Sequence, residues 1–387
     1  MATIIVAGAL ANKYRNGGEA WVRLNWILGL QRLGFHVVFV EQIDRQSCVD
    51  AAGAVTIFEE SVNLAYFKEI TAQFGLVGTT ALIYENGEQI HGLTWNELGE
   101  IAAAADLLIN ITGHLRWERL LRLLRRKAYI DIDPGFTQFW SSAANNAMGL
   151  DGHDYYFTIG ENIGTPHCSI PTGAIRWRPT RQPVVLEQWP VSTAGDCDRF
   201  TTIASWRGPY GVVHDGAKAY GLKVHEFRKF IELPRRAPQT FEIALNIHPA
   251  EEKDIALLHR HGWQLVQPHA VASDPDSFRR YVQTSGAEFS VAQGIYVETQ
   301  SGWFSDRTVR YLASGKPVLV QDTGFSRCYP VGEGLVAFRT MDEAVTGANR
   351  IARDYAAQCQ AARSVAEAYF DSDKVLGRLV EEVGIGP

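Results

Sequence analysis

The stretch "SGWFSDRTVRYLASGKPVLVQDTGF", Ser301 to Phe325, decides how this chain is built. A polar, Gly-containing opening leads into a short segment of helical apolar spacing, then a Gly315-Lys316-Pro317 corner, then Val318-Leu319-Val320 and Asp-Thr-Gly. That is loop, helix, turn, buried strand and loop, the repeating unit of parallel α/β sheets. Ser, Gly, Asp and Arg gathered at a helix start beside a buried strand point to an anion, because first-turn amides have no partner within the helix.

The same grammar extends outward in both directions. "TIIVAGA" (3–9) is a strand, helical spacing begins at Trp21, Leu24 and Leu28 and ends near Gly34, and "FHVVFVE" (35–41) is the next strand. Together they predict a right-handed βαβ unit. Residues 105–113, "RKAYIDIDPG" and "HDYYFTIGENIG" repeat strand followed by polar loop. Pro179, Pro183 and Pro190 then mark an extended connection. Beyond it "RFTTIASWRG", "TFEIALNIHP", "WQLVQP" and "AEFSVAQG" read as strands between helices, one of them opened by Asp274 and Pro275, and a long helical region follows from Met341. The expected architecture is α/β, with two Rossmann-like domains facing across a cleft. The expected boundaries are 1–190, 191–365 and a C-terminal helix over 366–387 that returns to the first domain.

Composition narrows the class. A chain of 387 residues with 46% hydrophobic content fits two ordinary globular domains. A formal charge of −6 gives no electrostatic case for nucleic-acid binding. No run of 18 apolar residues and no signal-like N-terminus is visible, so the expectation is a cytoplasmic protein without a transmembrane segment. Five scattered cysteines without CxxC spacing indicate neither a disulfide framework nor a zinc site.

In this setting "RYLASGKPVLV" resembles the donor-binding segment of GT-B glycosyltransferases, "E-A-x-A-x-G-x-P-V", matching its Ala, Gly, Pro and Val positions. "TTIASWRG" is similar to the first strand of their nucleotide-binding domain, and "SGWFSDR" to a phrase in a group of bacterial predicted glycosyltransferases. The resemblance spans nearly the whole chain in architecture and two short segments in motif. It implies sugar transfer from a UDP-, TDP- or GDP-sugar to a small-molecule or glycan acceptor, without metal or other cofactor. It implies that Arg207 meets the diphosphate. It also marks a departure, since the position of the ribose-holding Glu is Arg310.

The candidate donor residues are therefore Arg207, Ser301, Gly302, Ser305, Asp306, Arg307 and Thr308, with His248 at a strand end and Asp322 in "DTGF". Hydroxyls, helix amides and cations are what a departing diphosphate needs. Ser305 and Asp306 equally suit an N-cap, and Asp306 equally suits a pairing with Arg310 one turn on. Lys218 and Lys223 rank behind Arg207, His269 stands with His248, and Lys316 reads as a turn lysine. Across the cleft, Asn16, Gly17 and Gly18 form a loop that allows a ligand close backbone approach. For the base that deprotonates an acceptor, His114 comes first, Asp133 second, and Glu161 is a further candidate. The aromatic "FTQFW" (136–140) suits an acceptor wall or core packing alike. Glu41 ends the second strand where a dinucleotide-binding acid belongs, but no GxGxxG precedes it. The rival functions are a nucleotide-sugar 2-epimerase and a non-catalytic nucleotide-sugar-binding protein.

Overall fold

The structure is a computed structural model that describes residues 1–143, 148–192, 196–208 and 210–386. The first sheet has eight strands in the order β4-β3-β2-β1-β5-β6-β7-β8. They are β1 (Thr3–Ala7), β2 (His36–Ile43), β3 (Thr80–Tyr84), β4 (Gln89–Gly92), β5 (Leu107–Ile111), β6 (Lys127–Asp131), β7 (Tyr155–Thr158) and β8 (Trp177–Pro179). Every neighbour in it is parallel except the β3–β4 hairpin. Its central strands are buried on both faces, as their unbroken Ile, Val and Leu runs require.

The second sheet is formed by β9 (Arg199–Ser205), β12 (Thr240–Asn246), β13 (Gln264–Val266), β14 (Ala287–Ser290), β15 (Val318–Gln321) and β16 (Leu335–Phe338). Its order, β13-β12-β9-β14-β15-β16, reverses direction between β9 and β14, so the C-terminal edge there is a switch point of the doubly wound kind. A short hairpin, β10 (Val213–Asp215) and β11 (Lys218–Tyr220), is inserted after β9.

The last helix, Ser372–Glu382, lies against the first, Gly17–Arg32, where Arg32 Nε bonds Asp373 Oδ1 at 3.1 Å. One hydrophobic cluster runs through both halves, including Trp21, Trp189, Phe278, Phe304 and Phe370. Trp21 meets Trp189 at 5.0 Å, and Phe304 stacks on Phe370 at 5.1 Å. Among the described residues no helix is long and apolar enough to cross a membrane.

Candidate functional site

A pocket of about 500 Å³ opens between the two sheet edges. The first half contributes Tyr14 to Asn16, Gly18 and Glu19. The second contributes the end of β9 at Ile203–Ser205, Asn246, the Gln267–His269 segment, Phe278, and Asp306, Arg307 and Arg310 from the helix Asp306–Ala313. Ser305 occupies the N-cap position of that helix, yet its hydroxyl accepts no hydrogen bond from the first turn.

Arg307 and Arg310 point to different partners. Arg307 Nε bonds Glu288 Oε1 at 2.6 Å, its Nη2 bonds Ser290 Oγ at 2.7 Å, and its Nη1 bonds the Ile203 carbonyl at 2.8 Å. Glu288 is fully buried in β14 and holds the Arg307 guanidinium charged against its own burial. Thr308 is buried beside that carboxylate. Lys223 starts the helix after the hairpin and sits in the same electrostatic neighbourhood. Burial pushes its amine down to about 7, Arg307 acts the same way, and Glu288 and Asp306 oppose. A cation held on the edge of deprotonation is one that an arriving anion stabilises.

On the first-domain side, Arg23 pairs with Glu19 one turn before it on the first helix. Burial raises Glu19, but Arg23, Lys13 and Arg310 outweigh it and keep the carboxyl below its usual range. His114 follows β5, and burial together with Arg23 and Lys13 pushes it down to about 3, so it is a neutral imidazole at working pH. Asp133 follows β6. It stands above Asp131, which is buried and accepts from Thr137 Oγ1, Gln138 Nε2 and Thr158 Oγ1 at 2.7, 2.8 and 2.7 Å. Burial lifts Asp133 to about 7, Asp131 and Glu19 add to it, and a hydrogen bond from Tyr210 opposes. Tyr210 and Tyr296 of the second half donate to Asp133 at 3.1 and 3.4 Å. Of the two proposed bases, the carboxylate has the better matched proton affinity, the reverse of the order expected from intrinsic values.

Several expected residues have other work. Arg207 is 54% exposed in an ion pair with Glu251 and lies outside the pocket lining, while the less favoured Lys223 is half-buried with its amine depressed. His248 is exposed, and its Nδ1 accepts from the Ala250 amide at 3.1 Å. Asp322 is buried and saturated by the Gly324 amide, Ser326 Oγ and Arg339, at 2.8, 2.7 and 2.5 Å, so it has no room for sugar hydroxyls. Asn16 caps the first helix by accepting from the Glu19 amide at 3.2 Å. Gly17 and Gly18 make room for protein: a Cβ at Gly17 meets the Asp274 carbonyl oxygen at 2.0 Å, and one at Gly18 meets Phe278 at 2.9 Å.

Ser301 and Gly302 likewise serve the domain contact. The Asn162 amide donates to the Ser301 carbonyl at 3.0 Å, and Asn162 Nδ2 donates to the carbonyls of Gln300 and Gly324 at 2.9 and 3.1 Å. Glu161 beside it is bound to Arg181 and Tyr329, which removes it as a base. Glu41 accepts from the amides of Leu10, Ala11 and Asn12 and organises that loop. Phe136 packs on Tyr210 at 4.7 Å and Phe139 on Tyr220 at 5.3 Å, so the aromatic segment joins the hairpin to the first domain. Lys316 is buried, not at a surface turn. Arg23, Asn162 and Glu288 escaped sequence reasoning, although a glutamate inside the strand "AEFS" is a visible anomaly.

Two doubly wound sheets, a pocket between their C-terminal edges and a last helix returning to the first domain define the GT-B fold. Solved structures with the same architecture include sucrose-phosphate synthase from Thermosynechococcus elongatus, at 13% identity and TM-score 0.54 over 99% of each chain. Anabaena HepE with UDP and glucose is similar at 11% identity and TM-score 0.56, also over 99% of each chain. An alpha-glucosyltransferase bound to UDP and a 13-mer DNA containing an HMU base is similar over 100% of each chain, at 10% identity and TM-score 0.60. At these identities the likeness is one of fold. No family model and no curated protein matches the sequence.

Proposed function

We propose that this chain is a glycosyltransferase that moves a sugar from a nucleoside diphosphate to a hydroxyl of a small-molecule or glycan acceptor. The observation that carries the reading is Arg307 at the start of the helix Asp306–Ala313, on the wall of a cleft pocket of about 500 Å³, with Lys223 near enough for Arg307 to depress its amine. Helix amides and buried cations at one point are what a diphosphate leaving group requires. The UDP held by HepE and by the alpha-glucosyltransferase supports the donor class.

In this mechanism the bond from the sugar's anomeric carbon to the diphosphate breaks, and its electron pair stays on the diphosphate beside Lys223 and Arg307. The acceptor oxygen bonds to the anomeric carbon, and its proton passes to Asp133. Neutral His114 supplies a hydrogen bond to the sugar in this reading without competing for that proton. Free cysteines throughout support a cytoplasmic enzyme.

The test is a thermal-shift panel of UDP, TDP, GDP and ADP sugars against wild type and Lys223→Ala. A ligand at 100 times its dissociation constant adds about 2.7 kcal/mol of stability. One base is expected to shift the wild type and to shift the variant much less. No shift with any nucleotide sugar would remove the reading.

A further inference from the structure

The two arginines of the helix Asp306–Ala313 differ in a way that the diphosphate alone does not use. Arg307 turns toward β14 and engages three acceptors, with two of its five N–H donors left over. Arg310 borders the pocket and is only 1% exposed. None of its Nε, Nη1 and Nη2 atoms has an aligned hydrogen-bond acceptor. Among the described residues the carboxylate in ion-pair contact with it is Asp306, with Oδ2 at 2.8 Å from Nη2, a charge contact without hydrogen-bond geometry. Its other support is the face of Phe278, 5.3 Å from the guanidinium carbon.

The charges that bear on Arg310 are Asp306 and Glu19 on one side and Arg307 and Arg23 on the other. Glu288 already matches Arg307, and Glu19 matches Arg23. Among the described residues Asp306 is left for Arg310, in contact with its Nη2. A guanidinium has five N–H donors and no acceptor. It cannot take protons from a sugar diol as a glutamate at this position does, and a buried fork of this shape is best filled by a carboxylate or phosphoryl group.

We infer that Arg310 forms a second anion subsite in the pocket, for a carboxylate or phosphoryl group that the donor carries in addition to its diphosphate. This inference rests on the nucleotide-sugar reading and deepens it by making the donor class doubly anionic. The group has two possible sources, a uronate carboxylate on the transferred sugar or a phosphate on the nucleoside ribose.

Matched pairs of ligands separate these sources. Calorimetric titration of the whole chain compares UDP-glucose with UDP-glucuronate, and each nucleoside 5′-diphosphate with its 3′-phosphorylated form. Wild type is expected to bind the anionic member of one pair roughly tenfold or more tightly, the scale of one charge-assisted bidentate contact. Arg310→Gln is expected to bring that pair within about threefold. Asp306→Asn removes the competing carboxylate and is expected to widen the preference, a direction that a purely structural ion pair does not produce. Equal binding of both members of every pair by wild type overturns the inference and leaves the nucleotide-sugar reading standing. So does a preference that survives Arg310→Gln. Failure of every nucleotide to bind overturns both.

Discussion

Lys223 offers the sharpest test, because one perturbation changes two pH dependences with opposite signs. Its amine is held near 7 in the folded protein and lies near 10.4 in an unfolded chain. Between those values the unfolded state binds a proton that the native state does not, so stability rises with pH across that window. The slope is up to about 1.4 kcal/mol per pH unit. Binding runs the other way. A nucleotide sugar has a diphosphate diester with no titration near neutrality, and it favours the charged amine, so its affinity falls as pH rises through 7. Taking the free value as about 7 and the bound value as roughly that of an ordinary lysine, affinity is expected to drop about tenfold from pH 6 to pH 8, or ~1.4 kcal/mol. Asp133 also titrates near 7, but its linkage acts below that pH and persists in a lysine variant. Urea unfolding and calorimetric titration at pH 6, 7, 8 and 9 for wild type and Lys223→Met read both slopes. If the two proteins show the same dependence in both assays, Lys223 is neither desolvated nor at the diphosphate.

Three further outcomes follow from the same geometry. Asp133→Asn is expected to cut turnover by roughly 10²–10⁴-fold while donor binding changes little, as for loss of a general base; turnover within tenfold of wild type removes Asp133 from that role. Because Asp133 acts ionised and is held near 7, turnover at saturating donor rises through neutral pH, and Tyr210→Phe, which removes an opposing hydrogen bond, is expected to move that limb to higher pH. Asn162→Ala leaves the Gln300 and Gly324 carbonyls without their side-chain donor and is expected to cost about 2–4 kcal/mol in chemical denaturation, with a loss below 0.5 kcal/mol as the refuting result.

The alternation of apolar runs and polar loops was sufficient to read two doubly wound halves, since buried parallel strands leave continuous Ile, Val and Leu segments. It did not disclose β3, β4, β8, β16 or the β10–β11 hairpin; apart from the buried five-residue β3 these strands are only three or four residues long. At the site, the composition of the loop before the helix Asp306–Ala313 pointed to the right neighbourhood but not to the right atoms. Arg207 carries a favourable motif position, yet it is exposed and paired with Glu251 on the neighbouring loop. Lys223 lies sixteen positions further on, past the hairpin, and only the fold shows that this insertion returns the chain beside Arg307. The pairing of Arg307 with Glu288, nineteen positions before it, orients that guanidinium from β14, and a nonlocal pairing of that kind has no local signature.

The glycines argue for a pocket assembled in advance of its ligand. Gly17, Gly18 and Gly302 read as ligand loops, yet each lacks a side chain because the opposite domain occupies the space, with Asp274, Phe278 and Asn162 as the neighbours. Trp21 extends the same contact, since its Nε1 donates to the Pro275 carbonyl at 2.8 Å and Arg279 covers its ring at 5.5 Å. The hydrophobic cluster that passes from Trp21 through Trp189 to Phe278 would be exposed by opening the cleft along this line, and each large aromatic buries enough area to make that costly. Binding energy is then available for the diphosphate and for Arg310 instead of being used to draw the domains together, which is the thermodynamic meaning of preorganisation. The same packing explains why an Arg310 without hydrogen-bonded acceptors persists: Phe278, which closes the domain contact on Gly18, also holds the guanidinium in place at the wall of the pocket.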